Sequence, residues 1–241
     1  MNASTALAVA DRIAGLDWAG NEACLDETGF AQTPPVFTPE ECEQLAATFV
    51  DDANFRSTID MRRYRFGDGE YKYFDAPLPD LIDEARYGLY PPLATVANRW
   101  AELLGEPDRF PSELDSFLEC CHRAGQRRTT PLILRYTEGG HNTLHQDLYG
   151  EVAFPFQAVT ALSRAGEDFQ GGQFVLLEQR PRAQSRAHVL RPAQGAFVIF
   201  PTRERPNAGK TGYHRVGLRH GVSTVTAGER VALGVIFHDA S

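Results

Sequence analysis

Residues 131–147 read PLILRYTEGGHNTLHQD, and the fold turns on how this stretch is read. Leu132-Ile133-Leu134-Arg135-Tyr136 is an apolar run too short for a helix. Pro131 bounds it on one side and Glu138-Gly139-Gly140 on the other, the marks of a strand entering a turn. A second short run follows and ends in His145-Gln146-Asp147. Working outward toward the C-terminus, the pattern repeats: 157–162, 173–177, 196–200, 221–225 and 231–237 are short β-branched or aromatic runs. Gly171-Gly172, residues 192–195 and Ala227-Gly228 separate them. Many short strands punctuated by turn residues predict a sandwich or jelly roll.

Toward the N-terminus the period changes. Thr38-Pro39-Glu40-Glu41 is a capping box with proline at the first helical position, opening a helix that runs to about Val50. Residues 79–104 carry a longer helical pattern, interrupted near Pro91-Pro92 and stopped at Gly105. A short helix is expected over 112–121. Residues 62–73 read as a hairpin with Gly67-Asp68-Gly69 as its turn. The prediction is an α+β chain forming a single domain over 1–241. Residues 1–128 are a mainly helical flank with one hairpin, and 129–241 are a jelly-roll catalytic core.

Composition is that of a globular protein, 42% hydrophobic and 23% charged, and no apolar run approaches a membrane span. The first twenty residues lack the basic start of a secretory signal and read as a short amphipathic helix. Cys24, Cys42, Cys120 and Cys121 show no zinc spacing, so reduced thiols and a cytoplasmic location are expected. The net charge of −8 is uneven: residues 1–120 hold 9 Lys/Arg against 23 Asp/Glu, and residues 121–241 hold 15 against 9. A positive field in the second half favours an anionic cosubstrate. The acidity of the whole argues against a nucleic-acid partner.

The His-x-Asp pair is near chance level by itself in a chain with seven histidines. Its context adds weight. His145 and Asp147 share parity, so an extended segment turns both to one face. His220 follows at the start of the GVSTV run, and Arg230 opens the last long run. Two imidazoles and a carboxylate suit Fe(II) while leaving positions open for other ligands. A guanidinium offers a fork that matches a carboxylate and does not deprotonate.

The stretches RYTEGGHNTLHQD, GGQFVLLE, GAFVIFP and HGVSTVTAGER together resemble the 2-oxoglutarate/Fe(II)-dependent dioxygenase superfamily. The spacings Tyr-x8-His-x-Asp and His-x9-Arg resemble its prolyl-4-hydroxylase-like branch, and the chain is similar to bacterial 2OG-Fe(II) oxygenases. This resemblance implies a double-stranded β-helix core with N-terminal flanking helices. It implies His145, Asp147 and His220 as iron ligands, Arg230 as partner of the far carboxylate of 2-oxoglutarate, and Tyr136 as a second contact to it. The cofactors implied are Fe(II), 2-oxoglutarate and O2, and the reaction is hydroxylation of a C–H bond with succinate and CO2 as coproducts. Two positions depart from the pattern: Thr224 stands where many members of the branch have proline, and Ala232 where some have serine.

His214 is a rival second ligand but has no arginine ten residues on. His141 reads as a loop residue near the cosubstrate mouth, His238 as structural, and His122 and His188 as surface or partly buried. Residues 201–213 read equally as a connection or a lid. Tyr149, Arg215 and Arg219, with Arg203 and Arg205, are candidates for substrate contact. A small molecule or amino acid is the expected substrate. A peptidyl, prolyl-type hydroxylase and an AlkB-like nucleic-acid demethylase are the alternatives, and a cupin-type binding or sensor protein is the non-enzyme one. The sequence leaves the oligomeric state open.

Overall fold

The structure, a computed structural model, describes residues 7–107, 109–147, 150–180 and 182–241. The helices are α1 (Val9–Ala14), α2 (Trp18–Thr28), α3 (Pro39–Ala47), α4 (Asp80–Leu103) and α5 (Leu114–Arg123). In the first half, β1 (Ala31–Pro35), β2 (Phe55–Asp60), β3 (Gly67–Asp68) and β4 (Glu70–Phe74) lie among them. Strands then dominate: β5 (Leu132–Tyr136), β6 (His141–His145), β7 (Phe156–Ala161), β8 (Phe169–Gly171), β9 (Phe174–Gln179) and β10 (Arg186–Leu190). The chain closes with β11 (Ala196–Pro201), β12 (Glu204–Gly209), β13 (Gly212–Val222), β14 (Val225–Gly228) and β15 (Arg230–Ile236).

The strands build a major sheet, β1-β11-β7-β15-β5-β4-β2, and a minor sheet, β10-β9-β13-β6-β3, with β12 paired to β13. Their ladders are antiparallel, and the two sheets are the walls of the expected double-stranded β-helix. Alternation decides what each wall shows. One face of the major sheet carries Phe156, Ala158, Phe197, Ile199, Leu233 and Val235, which share a core with Leu89, Leu93 and Trp100 of α4. The other face looks into the barrel.

The capping box at Thr38 forms as read, and α3 passes into a 3-10 turn at Thr48–Val50. Three expectations need correction. Helix α4 runs unbroken through Pro91 and Pro92. Its buried stripe from Ile82 to Ala101 supplies enough apolar burial to offset the backbone bonds the two prolines remove. The hairpin at 62–73 is displaced: β2 pairs with β4, and 61–69 is a long connection with a 3-10 turn at Met61–Tyr64. Residues 201–213 are not an irregular loop, because β12 and β13 form a hairpin there. His220 consequently lies near the end of β13 rather than at the start of a strand, and Val225–Gly228 is a separate element.

Among the described residues no helix is long and apolar enough to cross a membrane. The N-terminal stretch makes two short helices in place of one, and α1 packs against α4. The four cysteines are free thiols.

Candidate active site

His145 and His220 face each other across the β6–β13 ladder, where directly opposed residues put their side chains on the same face. Their rings lie 4.2 Å apart between centroids. Gly221 makes this closeness possible, since a Cβ there would sit 2.6 Å from the Asn142 carbonyl oxygen. Asp147 follows just beyond β6, with Oδ1 3.4 Å from His145 Nε2 and Oδ2 3.1 Å from His220 Nε2. One ligand atom from each of the three falls within 4.8 Å of the others. Such a span suits a single ion, and the mix of imidazole and carboxylate donors suits a divalent transition metal.

The surrounding bonds set the donors' states. His145 Nδ1 donates to the Thr143 carbonyl at 2.7 Å, which leaves Nε2 as the ring nitrogen aimed at the shared point. Burial lowers the His145 pKa, but the Asp147 carboxylate and the Thr143 carbonyl outweigh it, and the net shift is upward. Gln146 turns aside and donates to the carbonyls of Arg203 and Leu218, both at 2.9 Å, fixing the backbone between the two donors. Burial pushes the Asp147 carboxyl toward its neutral form, but the two imidazoles outweigh it and hold the group ionised. Burial lowers the His220 pKa, which favours the neutral, ligating imidazole. Phe174 and Phe200 box in His220, with ring centroids 5.9 and 4.8 Å away.

Behind the triad a cavity of about 240 Å³ runs into the barrel. Arg230 lines it, 3% exposed, beside Tyr136, its partner across the β15–β5 ladder. The guanidinium sits 5.5 Å from the centre of the Tyr136 ring. Gly172, with φ +58°, leaves room for its stem: a Cβ there would come within 2.9 Å of Arg230 Cδ. Among the described residues no carboxylate pairs with Arg230, and burial lowers its pKa. A buried, uncompensated guanidinium is costly, so the cavity is built for an anion that the protein does not supply. Burial also pushes the Tyr136 phenol up to about 12, so it keeps its proton and can donate. Asn142 reaches the Tyr136 hydroxyl at 3.4 Å, and its own Oδ1 is buried without a partner.

The structure brings His145, Asp147, His220, Tyr136 and Arg230 to one cavity. It does not bring Arg215 or Arg219 there. Arg215 is exposed and pairs with Glu106 and Glu204 at 2.6 and 2.8 Å, and Arg219 is exposed on the opposite face of β13 from His220. Arg205 is buried in an ion pair with Glu178 at 3.0 Å, a structural role. Tyr149 lies outside the described residues. His141 is on β6 rather than in a loop, and His214, across the β12–β13 hairpin from Asn207, is far from the triad in the fold. His238 is fully buried, its Nδ1 accepting from the Phe154 N–H, and its pKa is pushed down by burial to about 4. His122 binds Asp239 and His188 packs edge-on to Phe30.

Sequence reasoning missed Phe66, Tyr71, Asn142 and Gln157, all of which line the cavity. Only Gln157 left a signal, as a polar residue on a strand face whose other positions, Val159 and Ala161, are apolar.

A double-stranded β-helix with a His-x-Asp…His donor set at its mouth and a buried arginine behind it defines the 2-oxoglutarate/Fe(II)-dependent oxygenases. Fe(II) is the metal of that class, and 2-oxoglutarate and O2 are its cosubstrates. Within the class, the chain belongs to the family described as "Oxygenase, catalysing oxidative methylation of damaged DNA", whose profile matches residues 69–240. Two uncharacterised proteins from Mycobacterium tuberculosis strains CDC 1551 and H37Rv are each 46% identical over 168 residues, which is 70% of this chain and 72% of theirs. Among solved structures, a Pseudomonas putida prolyl-4-hydroxylase is similar in fold at 17% identity and TM-score 0.57, covering 92% of this chain and all 100% of that one. A 2OG-Fe(II) oxygenase family protein from Burkholderia pseudomallei matches at 22% identity and TM-score 0.51, covering 93% of each.

Proposed function

We propose that His145, Asp147 and His220 hold Fe(II), that Arg230 and Tyr136 take the far carboxylate of 2-oxoglutarate, and that the enzyme hydroxylates a C–H bond on a nucleobase-borne alkyl group. The observation that carries the site assignment is one cavity with a compact donor triad toward one end and an unpaired buried arginine at the other. Bound there, the metal with its cosubstrates supplies the oxidising power: 2-oxoglutarate and O2 become succinate and CO2 while C–H becomes C–OH. The chain's own residues bind, orient and exclude water. Arg230 fixes the register of the cosubstrate through a charge-assisted, two-point contact. Phe174, Phe200 and Val222 keep the space around it dry.

The cavity also bears on the substrate. At about 240 Å³ it lies below the size of most ligand pockets, so it suits the cosubstrate and only the reacting portion of a substrate. Among the described residues its only charged or titrating donors beyond tyrosine are the triad and Arg230. A free amino acid, the first expectation from sequence, would bring an ammonium and a carboxylate with no counter-charge to meet them. A neutral, inserted group fits better.

The family's description speaks of damaged DNA, and a second feature favours an alkylated base. The connection Met61–Tyr64 continues through Arg65 to Phe66, which lines the cavity with its ring 6.2 Å from that of His145. Arg62, Arg63 and Arg65 are exposed on this strap, and Tyr64, 58% exposed, stacks on Phe66. Exposed arginines interleaved with an aromatic ring are the makings of a surface that contacts phosphates and stacks bases. The chain is acidic overall, and on the strap Arg62 pairs with Asp68 at 2.6 Å and Arg63 lies 3.9 Å from Asp60, while Arg65 forms no ion pair among the described residues.

Succinate release tests this reading across single-stranded oligonucleotides carrying one methylated base, proline-containing peptides and free amino acids. The methylated strands are expected to stimulate turnover. Replacing Arg63 and Arg65 together with alanine is expected to weaken strand binding several-fold and to reduce its salt dependence by about one unit of slope for each arginine removed. Stimulation by amino acids alone would contradict the substrate assignment.

A further inference from the structure

One buried polar group in the cavity is used neither by the metal donors nor by the cosubstrate anchor. Gln157, on β7, is 5% exposed and lines the cavity, and its Nε2 has no hydrogen-bond partner. A buried amide left unpaired is destabilising, so its retention calls for a ligand that satisfies it.

Its place in the two ladders says which ligand. Across β11–β7 its partner is Phe200, whose ring packs 4.8 Å from that of His220. Across β15–β7 its partner is Ile236, six residues along the strand from Arg230, or about 20 Å of extended chain. Gln157 is therefore beside the triad on the side away from the cosubstrate anchor. That is where the reacting group of a substrate must stand, and Phe66 from the 61–69 connection and Tyr71 from β4 offer it aromatic faces.

We infer that Gln157 selects the substrate by hydrogen-bonding through its side-chain amide to the edge of the inserted base. This rests on the nucleobase reading above. An amide presents a donor and an acceptor side by side, the pattern that a base edge complements and that lets glutamine grip adenine at two points. An extruded base is read this way, by edge contacts and aromatic stacking, in enzymes that act on bases outside the helix. A prolyl ring has no such edge and would leave the amide unpaired in the complex as well.

The test uses the full chain with Fe(II) and 2-oxoglutarate, comparing wild type with Gln157→Leu and Gln157→Met. The probes are single-stranded oligonucleotides with one N-methylated adenine or cytosine, and a proline-containing peptide. Strand affinity is read without oxygen by fluorescence anisotropy, KM and kcat by strand-stimulated succinate release, and stability by Tm. A residue serving structure alone would lower Tm when replaced. Here Tm is expected to hold or rise, because an unsatisfied amide is removed. Kd and KM for the methylated strand should rise roughly 10–100-fold, with kcat changed far less. Unchanged Kd and KM in both variants would overturn the inference, as would wild-type stimulation by the peptide and by no methylated strand. Wild type that releases no succinate with any probe, and none without one, would instead overturn the site assignment beneath it.

Discussion

Along β15, Val231, Leu233 and Val235 turn toward the helices, and Phe237 joins them just past the strand's end, whereas Arg230, Ala232, Gly234 and Ile236 turn into the cavity. The same alternation divides β7, where Ala158 packs against the helices while Gln157 and Val159 face inward. On the helix side the packing is dense: Phe154 alone meets the rings of Tyr90, Phe110, Phe117 and Phe237 at 4.8 to 5.6 Å. On the cavity side are small residues that leave space and two polar ones: Gln157, whose Nε2 has no hydrogen-bond partner, and Arg230, which no carboxylate pairs among the described residues. One strand thus carries stability on one face and chemistry on the other, and the two should respond oppositely to mutation.

The sharpest contrast is between Phe154→Ala and His220→Ala. The first is expected to cost about 3–5 kcal/mol of folding stability, with activity per folded molecule retained, as denaturant melts and active-fraction assays would read. The second should reduce 2-oxoglutarate turnover by about 10³-fold or more while leaving stability close to wild type. If His220→Ala unfolds the chain as severely as Phe154→Ala, the division between faces fails.

Arg230→Met is expected next in size. Losing the anchor should raise the 2-oxoglutarate KM about 100-fold, equivalent to about 3 kcal/mol. The cosubstrate-free protein should become no less stable, because an uncompensated buried charge is gone. A lower Tm with unchanged KM would assign Arg230 to the fold instead.

A smaller effect comes from His238 on the helix side. Its folded pKa of about 4 lies below the ordinary 6.5, so the unfolded chain takes up the proton first. Stability is whole above pH 6.5 and declines as pH falls toward 4, by on the order of 3 kcal/mol. His238→Gln should flatten that part of a pH–stability profile measured by urea melts. An unchanged slope would show that other groups set it.

What is legible in the sequence follows the same division. The strands of the core are readable because alternation and glycine turns are local signals, and the His145, Asp147, His220 and Arg230 spacing marks the cavity before any fold is known. The β12–β13 hairpin is not readable, because the outer part of β13 is exposed on both faces and carries no alternation. Strand β1 depends on a partner, β11, more than 160 residues away, and its sequence AQTPP has two prolines and little strand propensity. Helix α4 continues through Pro91-Pro92 because of packing that only the assembled sheet provides. Nearness in sequence to His220 suggests Arg215 and Arg219 for the substrate, but one strand residue reverses the face and several carry a side chain out of the barrel.

The most direct test of the central claim is an oxygen-free titration of Fe(II) into the protein with 2-oxoglutarate present, followed by visible absorption. A weak charge-transfer band should grow and saturate at about one iron per chain, vanish in His220→Ala, and require far more 2-oxoglutarate in Arg230→Met. No band in the iron-loaded wild type, or an undiminished band in His220→Ala, would contradict the account.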